Sequence, residues 1–149
     1  MASQSFSRLA VLLFAIALSA CGSKPAPAPA SAYPVTALQS ADLKQGTGAA
    51  LAGGQMAVVQ YTGWLYESAA PDNKGKQFDS SRTGGEPFRF PVGTGSVIKG
   101  WDQGVVGMKV GGSRRLIIPA DLAYGDNGAN GVIPPGAALV FDIDLVAIE

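Results

Sequence analysis

Alternating apolar and polar positions predict several β-strands in this chain. The clearest strand covers residues 139–148, where apolar residues occupy every second position and Asp142 and Asp144 lie between them. Such alternation is typical of an antiparallel strand with one buried and one exposed face. Runs of β-branched, aromatic or alternating residues predict further strands at 56–66, 88–90 and 113–118, with a weaker candidate at 35–44.

One run has helical spacing instead. Its apolar residues share one face of a helix, and they are Val97, Ile98, Trp101, Val105 and Met108. Gly100 and Gly104 lower the helix propensity, so we expect this helix to form only when it packs on a sheet. Ser96 is placed to cap it. One short helix against several strands indicates the α+β fold class.

The stretches between these elements are typical of exposed connections. Residues 67–77 are polar and predict a loop, and a second loop rich in glycine and asparagine at 125–131 follows a short helical turn at 120–124. Gly63 interrupts the strand at 56–66, which predicts a bulge or a close approach by another part of the chain. Trp101, if it faces the sheet, is either plain core or the flat apolar floor of a site.

The composition excludes several kinds of chemistry. The 149 residues include no histidine and one cysteine, so histidine-dependent catalysis, an intrachain disulfide and a cysteine-rich metal site are excluded. Lys+Arg and Asp+Glu number 11 each, and there is no basic stripe that would indicate nucleic acid as a partner. The sequence therefore predicts neither a metal nor a cofactor.

The N-terminus has the pattern of an export signal. Arg8 precedes an apolar run at residues 9–20, whose length suits the core of a signal peptide. The run ends in Leu18-Ser19-Ala20-Cys21, which resembles the bacterial lipobox, where the cysteine is lipidated and becomes the first mature residue. We therefore expect a signal peptide at 1–20 and a lipid on Cys21. The alternative is a signal peptide without lipidation.

Residues 21–34 form the expected tether between that lipid and a folded domain at 35–149. Proline and alanine alternate at 25–30, which predicts a stiff, extended spacer. Several acyl chains on one residue anchor a protein stably in a membrane. Gly22 stands where an aspartate tends to retain lipoproteins in the inner membrane. In a Gram-negative host the expected location is therefore the outer membrane, facing the periplasm or the surface.

Seven short segments of residues 35–149 carry a resemblance to a known family. They are VQYTG at 59–63, KQFDSS at 76–81, PF at 87–88, VIKGW at 97–101, YG at 124–125, IPP at 133–135 and LVF at 139–141. In order and spacing they resemble the FKBP-type peptidyl-prolyl cis–trans isomerases. The resemblance implies a twisted antiparallel sheet of about five strands wrapped around one short helix. It also implies rotation of X–Pro bonds without a covalent intermediate.

The same resemblance implies roles for individual residues. The expected catalytic residues are Tyr61, Asp79, Trp101 and Tyr124. Trp101 would be the floor under the proline ring, Tyr124 would donate to a substrate carbonyl, and Asp79 would lie at the rim near the rotating amide. The Ile98 N–H would bind a ligand carbonyl. The expected walls are Tyr61, Phe78, Phe88, Val97, Ile98, Val132, Ile133 and Phe141. Alternatively, Asp79 stabilises only its own turn and Tyr124 is purely structural.

Three features depart from the family pattern. Gly84 stands where well-studied eukaryotic members have an arginine, Ala129 stands where they often have a histidine, and the 67–77 loop is longer than usual. The implied partners are proline-containing segments of exported proteins, together with macrolides such as rapamycin or tacrolimus in the same pocket. We expect a monomer. The alternatives are a non-catalytic chaperone of this fold and a lipoprotein with a role in surface interactions.

Overall fold

The computed structural model describes residues 35–149, which form one antiparallel sheet and one short helix. The helix α1 is Lys99–Gly104. The strands are β1 (Gln39–Lys44), β2 (Met56–Tyr66), β3 (Lys74–Ser80), β4 (Phe88–Pro91), β5 (Ser113–Ile118) and β6 (Leu139–Ile148). This confirms the predicted α+β class. The signal peptide, Cys21 and the tether lie outside the described residues, and within 35–149 no helix is long and apolar enough to cross a membrane.

The sheet has six strands in five positions. The order is β1-β5-β6-β2-β3, and β4 also pairs with β2. The strands β3 and β4 share one edge of β2, because β4 pairs with residues 56–59 and β3 with residues 62–66. The expectation of about five strands is confirmed, and β3 is the strand that the pattern missed.

The strand β3 corrects the predicted loop at 67–77. Its first residues, Lys74–Gln77, lie in that stretch, which otherwise holds a 3₁₀ turn at Pro71–Asn73. None of the residues of β3 is fully buried, so no apolar face shows in the sequence. Backbone pairing with β2 along its edge defines this strand instead.

Gly63 lies where the pairing of β2 with β3 is irregular and where two aromatic rings approach β2. The register shifts between Gly63 and Trp64, whose partners are Asp79 and Gln77, so the extra residue is Phe78 on β3 rather than a residue of β2. A Cβ atom at Gly63 would lie 2.7 Å from a ring carbon of Phe141 and 2.8 Å from one of Phe78. The missing side chain therefore lets two aromatic rings pack directly on the strand.

The helix α1 is shorter than its apolar pattern, and Ser96 does not cap it. The N-cap residue is Ile98, which makes no side-chain capping bond. Instead, the Asp102 carboxylate in the first turn accepts hydrogen bonds from the Gly93 and Gly95 N–H groups, each at 2.9 Å. The Asp102 carboxylate in the first helical turn thus anchors the loop that precedes α1.

The two glycines of α1 allow the helix to approach β5 closely. A Cβ atom at Gly100 would lie 2.4 Å from Cγ2 of Ile118, and one at Gly104 would lie 2.6 Å from Cδ1 of Leu116. Both partners on β5 are fully buried. Glycine therefore lowers the intrinsic propensity of this helix but permits its close packing against the sheet.

The two aspartates of β6 join strands across the other face of the sheet. Asp142 accepts hydrogen bonds from Arg115 at 2.7 and 3.0 Å and from Lys74 at 2.6 Å. Asp144 binds Arg82 and Ser113. Burial alone would raise the pKa of Asp142, but the hydrogen bonds from Arg115 and Lys74 outweigh it and hold that pKa below its usual value.

A lowered pKa predicts how Asp142 contributes to stability as the pH changes. Its contribution is complete above the unfolded-state pKa of about 3.9 and is lost as the pH falls through the lower folded-state value. We expect the free energy of unfolding of Asp142→Asn, measured by urea denaturation between pH 7 and pH 2.5, to fall less steeply below about pH 4 than that of the wild type. Asp126→Asn, at an exposed loop position, is the control. Equal slopes for wild type and Asp142→Asn would contradict the expectation.

Candidate active site

An open cavity of about 200 Å3 lies where the helix, the sheet and two loops meet. It is lined by Tyr61, Phe78, Asp79, Phe88, Ser96, Val97, Ile98, Trp101, Tyr124 and Phe141. These residues come from β2, β3, β4, β6 and α1, and from the loops before α1 and after β5. Of the residues implied by the family resemblance, all but Val132 and Ile133 line this cavity.

Trp101 serves both as core and as part of the cavity surface. The residue is 4 % exposed and belongs to the main hydrophobic cluster. Its ring centroid lies 4.9 Å from that of Tyr61 and 5.2 Å from that of Phe141, with interplanar angles of 84° and 86°. Such edge-to-face pairs are favourable beyond the area they bury. Aromatic neighbours therefore hold the indole in a fixed orientation beneath the cavity.

The indole nitrogen of Trp101 is unusual among the buried polar atoms. Within residues 35–149, Nε1 is buried and has no hydrogen-bond partner. Most buried donors in proteins are paired. The unpaired Trp101 Nε1 therefore shows that aromatic rings, and not polar groups, surround the indole. The base of the cavity is therefore apolar in character.

Polar groups of the cavity are concentrated around Asp79. The Tyr61 hydroxyl donates to Oδ2 of Asp79 at 2.6 Å, and the Ser80 N–H donates to Oδ1 at 2.8 Å. Burial raises the pKa of Tyr61, and the hydrogen bond to Asp79 raises it further. Burial, followed by the charge of Asp79, also raises the pKa of Tyr124. Both phenols are therefore protonated donors at neutral pH.

The bond between Tyr61 and Asp79 is present although Gly84 supplies no cation beside it. Among the ion pairs of residues 35–149, none involves Asp79, and the nearby Arg82 pairs with Asp144. Hydrogen bonds alone thus hold the carboxylate at the edge of the cavity. The bond from the Ser80 N–H shows that Asp79 stabilises its own segment of the chain, whereas its role toward a substrate stays a prediction.

The loop before α1 supplies one wall and a free backbone donor. It carries Ser96, Val97 and Ile98 to the cavity, and the Asp102 carboxylate anchors it at two backbone N–H groups. Within the described part of the chain, the Ile98 N–H has no hydrogen-bond acceptor. The sequence motifs indicate neither Ser96 as a lining residue nor Asp102 as an anchor. An acid in the first helical turn after a Gly-Thr-Gly stretch was the available signal.

Val132 and Ile133 occupy a neighbouring groove instead of the cavity. This groove measures about 170 Å3 and shares Phe78, Asp79 and Tyr124 with the cavity. Val132 is 45 % exposed, whereas Ile133 is 5 % exposed and belongs to the core. Reciprocal backbone hydrogen bonds of 3.0 Å between Ala129 and Ile133 close the loop, so its two apolar residues have different environments.

The arrangement favours binding and orientation over covalent chemistry. The cavity offers aromatic rings, two phenol hydroxyls, the Ser96 hydroxyl, one carboxylate and a backbone N–H. Within residues 35–149 there is no group of three or more histidine, cysteine, aspartate or glutamate residues that could hold a metal. Fold and site together define a small α+β domain whose cavity combines an apolar aromatic surface with a few hydrogen-bonding groups.

Comparison with known proteins identifies the family. The family model for FKBP-type peptidyl-prolyl cis–trans isomerases matches residues 48–146, and the chain belongs to this family. It is 54 % identical over 96 residues to the peptidyl-prolyl cis–trans isomerase FPR2 of Saccharomyces cerevisiae, covering 64 % of this chain and 67 % of the relative. It is 45 % identical over 107 residues to an FK506-binding protein of Neisseria meningitidis, covering 72 % and 92 %.

Solved structures agree with this assignment. The crystal structure of AtFKBP13 matches with a TM-score of 0.66 and 41 % identity, over 75 % of this chain and 93 % of that one. FkpA from Escherichia coli matches with a TM-score of 0.65 and 39 % identity, over 76 % of this chain and 49 % of that one. The chain is therefore an FKBP-type peptidyl-prolyl cis–trans isomerase, as the sequence motifs implied.

Proposed function

We propose that this isomerase binds the proline ring of its substrates in the cavity above Trp101, and that its substrates are exported proteins. The cavity itself carries the proposal, because it joins an aromatic surface to a few fixed polar groups. An apolar pyrrolidine ring gains free energy by leaving water for such a surface. The polar groups at the edge then contact the amide on either side of the ring.

The proposed mechanism needs only noncovalent contacts. The barrier to X–Pro rotation, about 18–20 kcal/mol, arises from amide resonance. Twisting removes that resonance and makes the amide less polar, so a cavity with little water favours the twisted form over the planar one. A thousandfold acceleration requires about 4 kcal/mol of this differential stabilisation. No bond is broken, which suits a chain that has no histidine to activate a nucleophile.

The polar groups have distinct proposed tasks. The Ile98 N–H is unpaired within the described residues and is available to a substrate carbonyl. The Tyr124 hydroxyl, protonated at neutral pH, donates to a second carbonyl. Asp79, held by Tyr61, places negative charge beside the rotating amide. The groove at Val132 and Ile133 adjoins this edge and receives substrate residues next to the proline.

Macrolide inhibition tests whether the cavity is the site of catalysis. We expect the purified protein to accelerate cis–trans exchange of a Leu-Pro or Phe-Pro peptide, and tacrolimus or rapamycin to inhibit it competitively, because both occupy the same apolar surface. Bound macrolide should also raise the free energy of unfolding by about 4 kcal/mol at 1,000 times its Kd. A folded protein that leaves the peptide exchange rate unchanged would refute the proposal.

A chaperone role is a second candidate, supported by exposed side chains at the cavity and at the neighbouring groove. Phe88, Tyr124 and Val132 are 40 %, 41 % and 45 % exposed, so apolar side chains are available to unfolded segments. Isomerisation requires the cavity, whereas binding an unfolded client requires only exposed apolar surface. If the protein suppresses aggregation of an unfolded client equally well with and without saturating macrolide, the holding surface lies outside the cavity.

The proposed location is the bacterial cell envelope, with a lipid on Cys21. The proposal is supported by the apolar run that ends at Cys21 and by the proline-alanine spacer that follows. The domain would act as a monomer held away from an outer membrane. Such a position gives access to proteins that fold after export, or to partners at the surface.

Replacing the lipidated residue separates location from catalysis. Cys21→Ala is expected to shift the protein from the membrane fraction to the soluble fraction, since no acyl chain remains to hold it. Its kcat/KM for peptide isomerisation should stay unchanged, and Ser23→Ala should remain in the membrane fraction. Fractionation of cells followed by a peptide assay measures both. Continued membrane association of a Cys21→Ala protein from which residues 1–20 have been cleaved would contradict the lipid tether.

A further inference from the structure

The edge of β2 contains a gap at Tyr61. The strand β4 pairs with β2 up to Val59, and β3 pairs with it from Thr62 onward. The backbone of Tyr61 therefore has no strand partner on this side. Two serine hydroxyls occupy the place of the missing backbone groups. Ser81 Oγ accepts from the Tyr61 N–H at 2.9 Å, and Ser80 Oγ donates to the Tyr61 carbonyl at 3.1 Å.

Ser80 and Ser81 directly follow Asp79 in the sequence, and Tyr61 binds the Asp79 carboxylate. Asp79 directly precedes Ser80, its Oδ1 accepts from the Ser80 N–H, and its Oδ2 accepts from the Tyr61 hydroxyl. Tyr61 is therefore linked to this segment twice. Its backbone is hydrogen-bonded to the two serines, and its side chain is hydrogen-bonded to Asp79, which directly precedes them. Ser81 Oγ also donates to the Gln60 side chain at 2.5 Å, which fixes its own orientation.

We propose that Ser81, with the support of Ser80, is a positioning residue for the Asp79–Tyr61 pair. Asp79 takes part in no ion pair among the described residues, so hydrogen bonds and chain geometry alone set its position. Losing the Ser81 hydroxyl leaves the Tyr61 N–H without its acceptor and loosens the end of β3, where Asp79 lies, relative to β2. The inference rests on the proposed function, because it assumes that this pair acts on the substrate.

Three variants of the full chain, purified in mild detergent, test the effect on catalysis. Small displacements of a catalytic group cost up to about 100-fold, and we expect Ser81→Ala to lower kcat/KM for a Leu-Pro peptide by about tenfold. Ser81→Thr keeps the hydroxyl and should recover most of the activity. Ser113→Ala removes a hydroxyl that binds Asp144 on the opposite face, and should leave kcat/KM unchanged. Equal kcat/KM for Ser81→Ala and wild type, with or without a loss of stability, would overturn the proposal.

A double-mutant cycle with Tyr61→Phe tests the route of the effect. If Ser81 acts through the Asp79–Tyr61 bond, Ser81→Ala should lower kcat/KM much less in the Tyr61→Phe background than in the wild type. Fully additive losses would overturn the inference while leaving the proposed function intact. If Tyr61→Phe and Asp79→Asn both retain full activity, the role proposed for the pair fails first, and the role of Ser81 fails with it.

Discussion

Trp101→Leu is expected to lower kcat/KM for peptide isomerisation by about 30-fold, which corresponds to a loss of about 2 kcal/mol of transition-state contact. The indole is held edge-on by Tyr61 and Phe141 and forms part of the cavity surface. Leucine keeps an apolar group at the position but removes the flat face under the substrate ring. Peptide turnover at several substrate concentrations measures the change.

The second tryptophan provides a matched control for this experiment. Trp64 lies on β2 outside the cavity, with the Lys74 Nζ 4.2 Å from its ring centroid. Trp64→Leu should leave kcat/KM unchanged. Because the chain has two tryptophans, the fluorescence of this variant comes from Trp101 alone. Macrolide binding should alter that emission and should not alter the emission of Trp101→Leu. Unchanged turnover by a folded Trp101→Leu protein, confirmed by far-UV circular dichroism, would refute the role of the indole.

Gly100→Ala is expected to lower the free energy of unfolding by about 1–2 kcal/mol, although alanine is the better helix former. The new methyl group would overlap Ile118, whose side chain is fully buried and cannot move away. Overpacking of this kind costs about 1–3 kcal/mol, which exceeds the gain of about 1 kcal/mol in helix propensity. Urea denaturation followed by circular dichroism measures the net effect.

Two further variants identify the cause of that loss. A Cβ atom at Gly53 would meet nothing within 4 Å, so Gly53→Ala should leave the free energy of unfolding almost unchanged. Combining Gly100→Ala with Ile118→Ala removes the overlapping atoms, and the combined loss should be smaller than the sum of the single losses. Additive losses would show that the methyl group does not clash with Ile118.

Burial patterns explain why much of the fold could be predicted. β2, β5 and β6 each bury apolar residues, and this produces the alternation or the apolar runs that the sequence displays. The strand β3 buries no face, so its definition depends on backbone pairing that leaves no periodic trace. The helix was predicted in the right place but too long, because Val105 and Met108 are buried by the turn that follows it rather than by helix.

The site residues that belong to family motifs could be predicted from the sequence. Those whose place depends on tertiary contacts could be predicted less well. Tyr61, Asp79 and Trp101 line the cavity, as the resemblance implied. Ile133 lies in the core beside the neighbouring groove, because the closure of its loop determines which way it faces. The bonds of Ser81 and Asp102 to backbone N–H groups depend on the folded path of the chain, and residue type alone does not reveal them.

The place of β6 in the sheet determines when this domain can acquire its structure. β6 is the last strand in chain order, yet it lies between β5 and β2 and joins the two halves of the sheet. Until residues 139–148 become available, those two strands lack the neighbour that holds them together. A chain that emerges N-terminus first, from a ribosome or through a membrane, therefore cannot close its sheet step by step, and most of its ordering takes place at once after β6 has emerged.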